Sequence, residues 1–436
     1  MTLPRSWAAL CILAMAATSS RAAEWKPVIV SPAKEVEIGE QLRAAFLNEY
    51  ATTTDGNLIV RVAELGRKVA HFSDRPALSY QFIVIQGDGF QAWSFPGGTV
   101  CVTEKLARLS DDEVAFALGH EIAHISLRHL IERLRLEYGL ELDFKPKMLA
   151  DAIQRFDQGS EMAADRYGAL YAVRAGFDFT ATYGLLEKMA EDPAPRKRNE
   201  THPDDESRIA ALKGFGNELE QCIAYFHSGT AALRAGELDT AISDLRYFQA
   251  QFPQSVSGQV NLGAAYLAKV RKTGGTPHGL AEVLPILPDP GIVLRGGGYD
   301  RLDLESARDH FLRALETDPR DAMALAGLAL VHTRLDELGT AREVLDEALA
   351  VDPDNPELLL CSGNVYFLIE QFDRARSEYV AALSFRAGWA DASKNLALSY
   401  EKLGMLSEAV ELWEELASDP VYAAYARDRL SVLQEK

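Results

Sequence analysis

The stretch that decides the fold is His120-Glu121-Ile122-Ala123-His124, which lies inside a helical pattern. Ser110-Asp111-Asp112-Glu113 predicts where that helix begins, because Ser110 and Glu113 can each satisfy a free backbone N–H group. Apolar residues then recur at helical spacing, at Val114, Leu118, Ile122 and Ile125. The pattern predicts one helix from Ser110 to about Leu136.

His120 and His124 lie one turn apart on one face of that helix, about 6 Å along its axis, and so can share a metal ion. Glu121 is offset by about 100° and can reach a metal-bound water as a general base. Two histidines placed there by coincidence are the alternative. The sequence around the motif favours the metal site.

A catalytic zinc site needs a third protein ligand and one open position. The metzincin arrangement would have a glycine and a histidine where this chain has Leu127 and Leu130, so that class is excluded. His129 falls about 180° around a continuous helix from His120, and we interpret it as a surface or packing residue.

A carboxylate from another helix is the remaining solution for the third ligand. Glu161, in Gly159-Ser160-Glu161-Met162-Ala163-Ala164-Asp165, is the best candidate. Asp165 lies one turn further on the same face, where it can accept the free ring N–H of a ligand histidine. Both could instead be acids on a helix surface, but the small residues between them favour a buried, closely packed turn.

The residues around these motifs predict an α+β domain. Two strands, Leu78–Gln86 and Ala92–Thr103, are expected before the metal-motif helix, with Pro96-Gly97-Gly98 as a bend or bulge in the second. Helices are expected from Ala33 to about Val69, near Gly159–Ala175 and from Phe179 to about Ala190.

The character of the chain changes after Gly214-Phe215-Gly216-Asn217, which we interpret as the end of this domain. Alanines then recur at intervals of 66, 34, 34 and 34 residues, and the first interval is 34 plus a 32-residue insertion: Ala241, Ala307, Ala341, Ala375 and Ala409. A period of 34 is the tetratricopeptide signature. We predict five repeats from about Cys222, with an end helix near Val421–Leu433.

The insertion, about Lys272 to Arg301, is rich in Gly and Pro yet carries many apolar residues between Val283 and Leu294. A purely flexible loop rarely holds so many. We therefore expect it to dock on a surface, with the first domain as the candidate.

Residues 1–23 are typical of a secretory signal, with Arg5 before an apolar run and small residues at the end. No later run is long enough to span a bilayer, so no transmembrane span is expected. A net charge of −19 argues against nucleic acid as a partner. Cys101, Cys222 and Cys361 are expected to be buried thiols, not a disulfide framework.

Four motifs follow one another between about Ala33 and Lys213: Phe95-Pro96-Gly97-Gly98, HEIAH, EMAAD with Ala169, and Thr201-His202-Pro203 with Arg208. In this order they resemble the forty-eighth family of metallopeptidases. The resemblance implies that His120, His124 and Glu161 bind one Zn²⁺ per chain. It also implies that Glu121 is the catalytic base and that Asp165 supports a ligand.

The same resemblance implies that the strand around Gln91–Val102 is the edge on which an extended peptide is laid. His202 matches a histidine that can close over the zinc in periplasmic members and keep the enzyme latent. A locally hydrogen-bonded loop histidine is the alternative. Arg208 would steady that loop or a substrate carbonyl, or have a structural role only.

The expected fold is an α+β zincin-type metalloprotease domain (24–213, after the signal at 1–23) followed by an all-α tetratricopeptide solenoid (214–436, insertion 272–301). The expected function is a periplasmic zinc endopeptidase that degrades or processes misassembled outer-membrane proteins. Its expected partners are protein clients, which the repeats recruit. The outer-membrane assembly machinery is a second candidate partner. The alternative is a chaperone or assembly adaptor whose protease is largely latent.

Overall fold

The computed structural model describes residues 30–138, 156–192, 205–270, 280–283, 290–293 and 301–434. The expected signal at residues 1–23 and the motif with His202 lie outside these described residues. No helix in the described part is long and apolar enough to cross a bilayer.

The first domain begins with α1 (Pro32–Leu47) and α2 (Gly56–Ala70), where one helical stretch was expected. The stretch is divided because Asp55 caps a new helix: its carboxylate accepts hydrogen bonds from the backbone N–H groups of Asn57 and Leu58. Buried apolar residues on α2 pack towards the sheet and the metal-motif helix.

The sheet has the strand order β1-β3-β2, with β1 (Gln81–Ile85) parallel to β3 (Thr99–Thr103) and β2 (Ala92–Phe95) antiparallel to it. The expectation of a single second strand is wrong. Gly97 and Gly98 have φ values of 81° and 112°, which L side chains rarely adopt, and they fold this stretch into a hairpin. β3 is therefore the central strand and β2 an edge.

The metal-motif helix is shorter than expected. After α3 (Glu104–Ala107), α4 runs only from Asp111 to Ser126, and α5 (His129–Tyr138) follows it. Arg128 between them has a left-handed φ of 58°. Its buried guanidinium lies 3.2 Å from Glu35 of α1, and it also hydrogen-bonds the carbonyl of Val30 at 2.9 Å. These contacts with distant residues stabilise a turn that the helical pattern does not show.

Helix α6 (Gln158–Arg174) crosses α4 at close range, and α7 (Ala181–Glu191) follows. A Cβ atom on Gly168 would lie 2.6 Å from the His120 nitrogen, and one on Gly119 would lie 2.6 Å from the Gly168 carbonyl oxygen. The two glycines thus bring the backbones of α4 and α6 into contact, which places the acids of α6 beside the histidines of α4.

Helix α8 runs without a break from Asp205 to Ala235, so the expected break at Gly214-Phe215-Gly216-Asn217 is wrong. Phe215 belongs to the core of the first domain. A Cβ on Gly216 would lie 2.8 Å from the ring of Phe179. The glycine at this position allows close packing and does not end the helix.

Antiparallel helices complete the chain as an all-α solenoid, as the sequence predicted. The end of α8 pairs with α9, α10 with α11, α12 with α13, α14 with α15, and α16 with α17, and α18 packs on α17. The bounds are α9 Leu238–Gln251, α10 Val256–Lys269, α11 Arg301–Thr317, α12 Ala322–Arg334, α13 Leu338–Val351, α14 Pro356–Leu368, α15 Phe372–Phe385, α16 Ala390–Leu403, α17 Leu406–Leu416 and α18 Ala423–Gln434.

The described part of the insertion is an antiparallel pair, β4 (Leu280–Val283) and β5 (Pro290–Val293). Strand β4 packs against α14 and α16. The expected docking on the first domain is therefore wrong for these residues, since the strand lies on later repeats of the chain's own solenoid.

The first domain and the first repeat share one hydrophobic core, which includes Phe248 of α9 and Phe252. The rings of Tyr167 on α6 and Phe252 are 5.1 Å apart, and the Tyr167 hydroxyl accepts a hydrogen bond from the Gln254 backbone N–H at 2.8 Å. Arg166, also on α6, donates to the Gln251 side chain at 2.7 Å. The helix that carries Glu161 is thus also the surface on which the repeats dock.

Candidate metal centre

His120 and His124 of α4 meet Glu161 of α6 at one point. Each histidine Nε2 atom lies 3.5 Å from an oxygen of Glu161, and the two Nε2 atoms are 3.1 Å apart. Ligand atoms around a tetrahedral ion at about 2.0–2.1 Å lie about 3.3 Å from one another. Two imidazole nitrogens and a carboxylate at this spacing fit a single metal ion, and these three residues form such a group among the described residues.

Asp165 holds His120 from the other side of its ring. Its Oδ1 atom is 2.8 Å from His120 Nδ1, one turn of α6 beyond Glu161. Arg208 of α8 makes two hydrogen bonds to the same carboxylate, at 2.8 and 2.6 Å. Although burial raises the pKa of Asp165, the charge and hydrogen bonds of Arg208 hold it at about 2. A carboxylate that stays ionised keeps the Nδ1 proton of His120 in place and Nε2 directed towards the metal position.

His129 holds the ring of His124, a contact that the sequence reasoning missed. Because the chain turns at Arg128, His129 returns towards α4, and its Nδ1 atom lies 3.0 Å from His124 Nδ1. Phe156 stacks on the ring of His124, with 3.9 Å between centroids. His129 is a buried packing residue, which agrees with one of the two interpretations made for it, and it is not among the three residues grouped around the metal position. Its expected place opposite the site was wrong, because that placement assumed one continuous helix. No feature of the helical pattern marks the turn, since Arg128 is not a glycine.

Glu121 follows His120 on α4 and faces the edge of the sheet. Burial raises the pKa of its carboxyl above the ordinary range, while the charge of His120 and the hydroxyl of Ser94 on β2 oppose that rise. A buried carboxylate with a raised pKa suits the exchange of a proton with water.

Strand β2 borders the metal centre. Ser94, Phe95 and Pro96 line a small cavity of about 10 Å³ together with His124. The expected peptide-binding edge was the strand around Gln91–Val102. Because β3 is the central strand of the sheet, only the β2 part of that stretch, Ala92–Phe95, is an edge strand. The N–H and C=O groups of an edge strand are where an extended chain can add.

The structure brings together His120, Glu121, His124, Glu161, Asp165 and Arg208. Arg208 donates two hydrogen bonds to Asp165, which fits the structural role that was one of its expected alternatives. His202 lies outside the described residues. Cys101, Cys222 and Cys361 are free and buried, as expected.

An HExxH helix crossed by a glutamate-bearing helix, beside the edge of a small sheet, defines a zincin-type metallopeptidase domain. Comparison with known families agrees: residues 60–158 match the model of peptidase family M48, and residues 223–255 and 299–356 match tetratricopeptide repeat models. The chain therefore carries an M48 peptidase domain followed by tetratricopeptide repeats.

The chain is similar to beta-barrel assembly-enhancing proteases. It is 26% identical over 224 residues to that of Escherichia coli (strain K12), covering 44% of this chain and 46% of the relative. The Yersinia pestis protein is 27% identical over 186 residues, 36% of this chain and 38% of the relative. The mitochondrial metalloendopeptidase OMA1 of Arabidopsis thaliana is 25% identical over 165 residues, 34% of each chain. The matches thus span less than half the length of each relative.

Among solved structures, MamA protein aligns with 47% of this chain and 95% of its own length, at 20% identity. The TM-score is 0.33, which is too low to support a structural conclusion.

Proposed function

We propose that this chain is a zinc-dependent endopeptidase of the cell envelope that degrades or processes misassembled outer-membrane proteins. The observation that carries the proposal is the convergence of two histidine nitrogens and the Glu161 carboxylate, 3.1–3.5 Å apart, next to Glu121. Similarity to beta-barrel assembly-enhancing proteases supports the choice of envelope substrates.

One Zn²⁺ per chain fits the donor set, because catalytic zinc sites use three nitrogen or oxygen ligands and keep one position open. His120, His124 and Glu161 would hold it. When bound, zinc polarises a scissile carbonyl and lowers the pKa of a water molecule.

The chain's own residues supply the other functions. Glu121 takes the proton of the attacking water and returns it to the leaving amine. Asp165 with Arg208, and His129 on the other side, keep the two imidazoles oriented. An extended substrate adds to β2 through main-chain hydrogen bonds, which sets the scissile bond beside α4.

His202 is proposed to close over the open zinc position and keep the enzyme latent until its loop moves. Support comes from the resemblance of Thr201-His202-Pro203 to the family motif. Replacing His202 should then raise basal proteolysis without loss of zinc, whereas lower activity would make it a stabiliser of the transition state.

We further propose that residues 1–23 direct export to the periplasm, that residues 24–213 perform catalysis and that residues 214–436 recruit clients. These ranges divide the chain by role and not into separately packed parts, because the first domain and the first repeat share one hydrophobic core around Phe252. Outer-membrane assembly machinery is a further proposed partner of the repeats.

A chaperone or assembly adaptor with a largely latent protease is the second candidate. The observation that favours it is the solenoid itself, which follows the catalytic domain with five helix pairs and a terminal helix, α18. In such a protein, client binding by the repeats would be the function in the cell.

Replacing Glu121 by Gln separates the two functions. The variant should keep zinc and fold but hydrolyse casein roughly 10²–10⁴-fold more slowly, which is the usual contribution of a positioned base. Glu64→Gln, at an exposed position on α2, is the matched control and should behave as the parent. Casein hydrolysis at the parental rate by Glu121→Gln would refute the assigned base. If Glu121→Gln is inactive yet fully replaces the parent in cells, the adaptor is the correct function.

A further inference from the structure

Four charged side chains form a buried network between the metal centre and the repeats. Glu35 and Arg75 are each 1% exposed, and Arg128 and Asp318 are 4% and 6% exposed. Three of the four belong to the first domain: Glu35 lies on α1, Arg75 between α2 and β1, and Arg128 between α4 and α5. Asp318 directly follows α11 and belongs to the second repeat. The network therefore crosses the contact between the two parts of the chain.

The contacts of the network follow one another in a row. Arg75 Nη1 donates to Glu35 Oε1 at 2.6 Å, and Arg75 Nε lies 3.8 Å from Asp318 Oδ1. The other carboxylate oxygen of Glu35 lies 3.2 Å from Arg128 Nε. Two carboxylates thus balance two guanidinium groups. Removing one member of a buried ion pair leaves the other charge uncompensated, so each charge depends on the rest.

Arg128 connects the network to a histidine of the metal centre. Its φ of 58° is left-handed, a conformation that a residue other than glycine rarely adopts unless contacts hold it. Those contacts are made by Glu35 and Val30. The next residue is His129, whose Nδ1 lies 3.0 Å from His124 Nδ1. Glu35 and Arg128 also line the same small cavity as His124. The contacts that fix the guanidinium of Arg128 therefore also fix the ring of His124.

The charge of Asp318 acts on both guanidinium groups. Burial lowers the pKa of Arg128, and the charges of Glu35 and Asp318 oppose that fall. Burial raises the pKa of Asp318, and the charges of Arg75 and Arg128 oppose that rise. Without the charge of Asp318, Glu35 would be the one acid of this network for two cations. Its attraction for Arg128 would then be shared with an Arg75 that has lost its second partner.

Backbone contacts within the solenoid fix the position of Asp318. Its N–H donates to the Ala314 carbonyl at 2.8 Å, and its own carbonyl accepts from the Asp321 N–H at 3.1 Å. Its Oδ1 accepts from the Arg320 N–H at 3.2 Å. The carboxylate therefore moves with the end of α11 and the start of α12. A shift of the second repeat against the first domain changes the distance between Asp318 and Arg75.

We infer that Asp318 is a positioning residue for the metal centre, and that the docking of the second repeat on Arg75 sets the affinity for zinc. The effect passes through Glu35 and Arg128 to His129. Such a coupling is reciprocal, so zinc also stabilises the docked position of the repeat. The inference rests on the proposed function for the identity of the metal. It assigns to the repeats an effect on the metal centre that needs no bound client.

Asp318→Asn tests the charge, because it keeps the shape of the side chain and an acceptor oxygen. We expect its zinc affinity, measured by competition with a chromophoric chelator, to fall by about three- to tenfold, which is part of the usual effect of losing a partner of a ligand histidine. Asp318→Glu keeps the charge and should bind zinc more tightly than Asp318→Asn. Asp309→Asn, at an exposed position on α11, is the matched control and should keep the parental affinity.

The His129→Ala background separates positioning from a general loss of structure. Because Asp318 acts through His129, Asp318→Asn should change zinc affinity by less than about twofold in this background, whereas an effect through overall stability would be the same in both backgrounds. Parental zinc affinity in Asp318→Asn, or an equal loss of affinity in both backgrounds, would overturn the inference.

Hydrogen exchange covers the case that Asp318→Asn does not fold. In the parent, zinc should slow exchange in the peptide that contains Arg320, whose N–H donates to Asp318, and it should do so less in His129→Ala. The Tyr422 N–H, which donates to Asp419 near the end of the solenoid, is the control. Exchange at Arg320 that does not respond to zinc would overturn the inference alone. A parent that binds no zinc would overturn the proposed metal centre as well, so the two failures are distinguishable.

Discussion

At the scale of single residues, each ligand histidine uses both ring nitrogens. Nε2 faces the metal position, and Nδ1 faces a buried partner, Asp165 for His120 and His129 for His124. Fixing the second nitrogen selects the tautomer and the orientation of the first. We therefore expect the partners to act on metal affinity without touching the ion.

We expect His129→Ala to weaken zinc binding by about 10- to 100-fold, the usual effect of removing a partner of a ligand histidine. Glu161→Ala, which removes a ligand, should weaken it further. Competition with a chromophoric chelator measures both effects, and His227→Ala at an exposed position is the control. Parental affinity in His129→Ala would show that its contact with His124 has no role in metal binding, and full zinc retention in Glu161→Ala would refute the third ligand.

At the scale of elements, the crossing of α4 and α6 sets the distance between the histidines and Glu161. Gly119 and Gly168 allow backbone contact at the crossing, and any side chain there would separate the helices. The spacing of the residues in the candidate metal centre therefore depends on two glycines that have no functional side chain.

We expect Gly168→Ala to destabilise the first domain by about 1–3 kcal/mol or more, as overpacking does, and to lower zinc affinity as well. Its added Cβ would lie 2.6 Å from the His120 nitrogen. Gly214→Ala in α8 is the matched control, since nothing lies within 4 Å of its added Cβ. That change should stabilise the protein by about 0.5–1 kcal/mol. Urea unfolding measures both, and equal effects would disprove the role of the close crossing.

We expect His310 to make the second repeat sensitive to acid. Burial, with the charges of Arg313 and Arg246, lowers the pKa of His310 to about 4, and its ring stacks on Tyr266. The unfolded chain binds the proton near pH 6.5 and the folded chain only near pH 4, so the free energy of unfolding falls as the pH drops through this window.

Between pH 7 and pH 5, His310 should cost the parent about 2 kcal/mol of stability. We expect His310→Gln to lose that part of the pH dependence, as measured by urea unfolding at the two pH values. His227→Gln, at an exposed position, should keep the parental dependence. A His310→Gln curve parallel to the parent's would contradict the prediction.

At the scale of the whole molecule, Asp74 connects the first domain to the repeats through hydrogen bonds. This buried carboxylate accepts hydrogen bonds from the Ser255 hydroxyl and the Val256 N–H at the start of α10, at 3.0 and 2.7 Å. It also accepts one from the Tyr171 hydroxyl of α6 at 2.7 Å. The first domain thus caps a helix of the solenoid, and the two parts are packed as one body at this point.

We expect Asp74→Ala to separate the unfolding of the first domain from that of the repeats. It would leave three buried donors without their acceptor, at about 1–3 kcal/mol each. Differential scanning calorimetry should then show two transitions in place of one, whereas Asp88→Ala at an exposed position should leave the trace unchanged. A single, unshifted transition in Asp74→Ala would show that the contact does not couple the two parts.

Local patterns account for what the sequence determined by itself. The capping box at Ser110, helical spacing and the 34-residue period depend on neighbours along the chain, so they identified α4 and the solenoid. The HEIAH motif and the resemblance to a metallopeptidase family indicated the zincin-type domain. They also selected Glu161 and Asp165, which the structure brings to the histidines.

Contacts between residues distant in sequence decided the rest. Arg128 turns the chain because Glu35 and Val30 hold its guanidinium, and only that turn brings His129 to His124. Phe179 packs where Gly216 lacks a side chain, so α8 continues through the expected boundary. Strand β4 lies on α14 and α16, which are more than 70 residues further along the chain. Each outcome follows from burial and pairing across the fold, which no periodicity along the chain records.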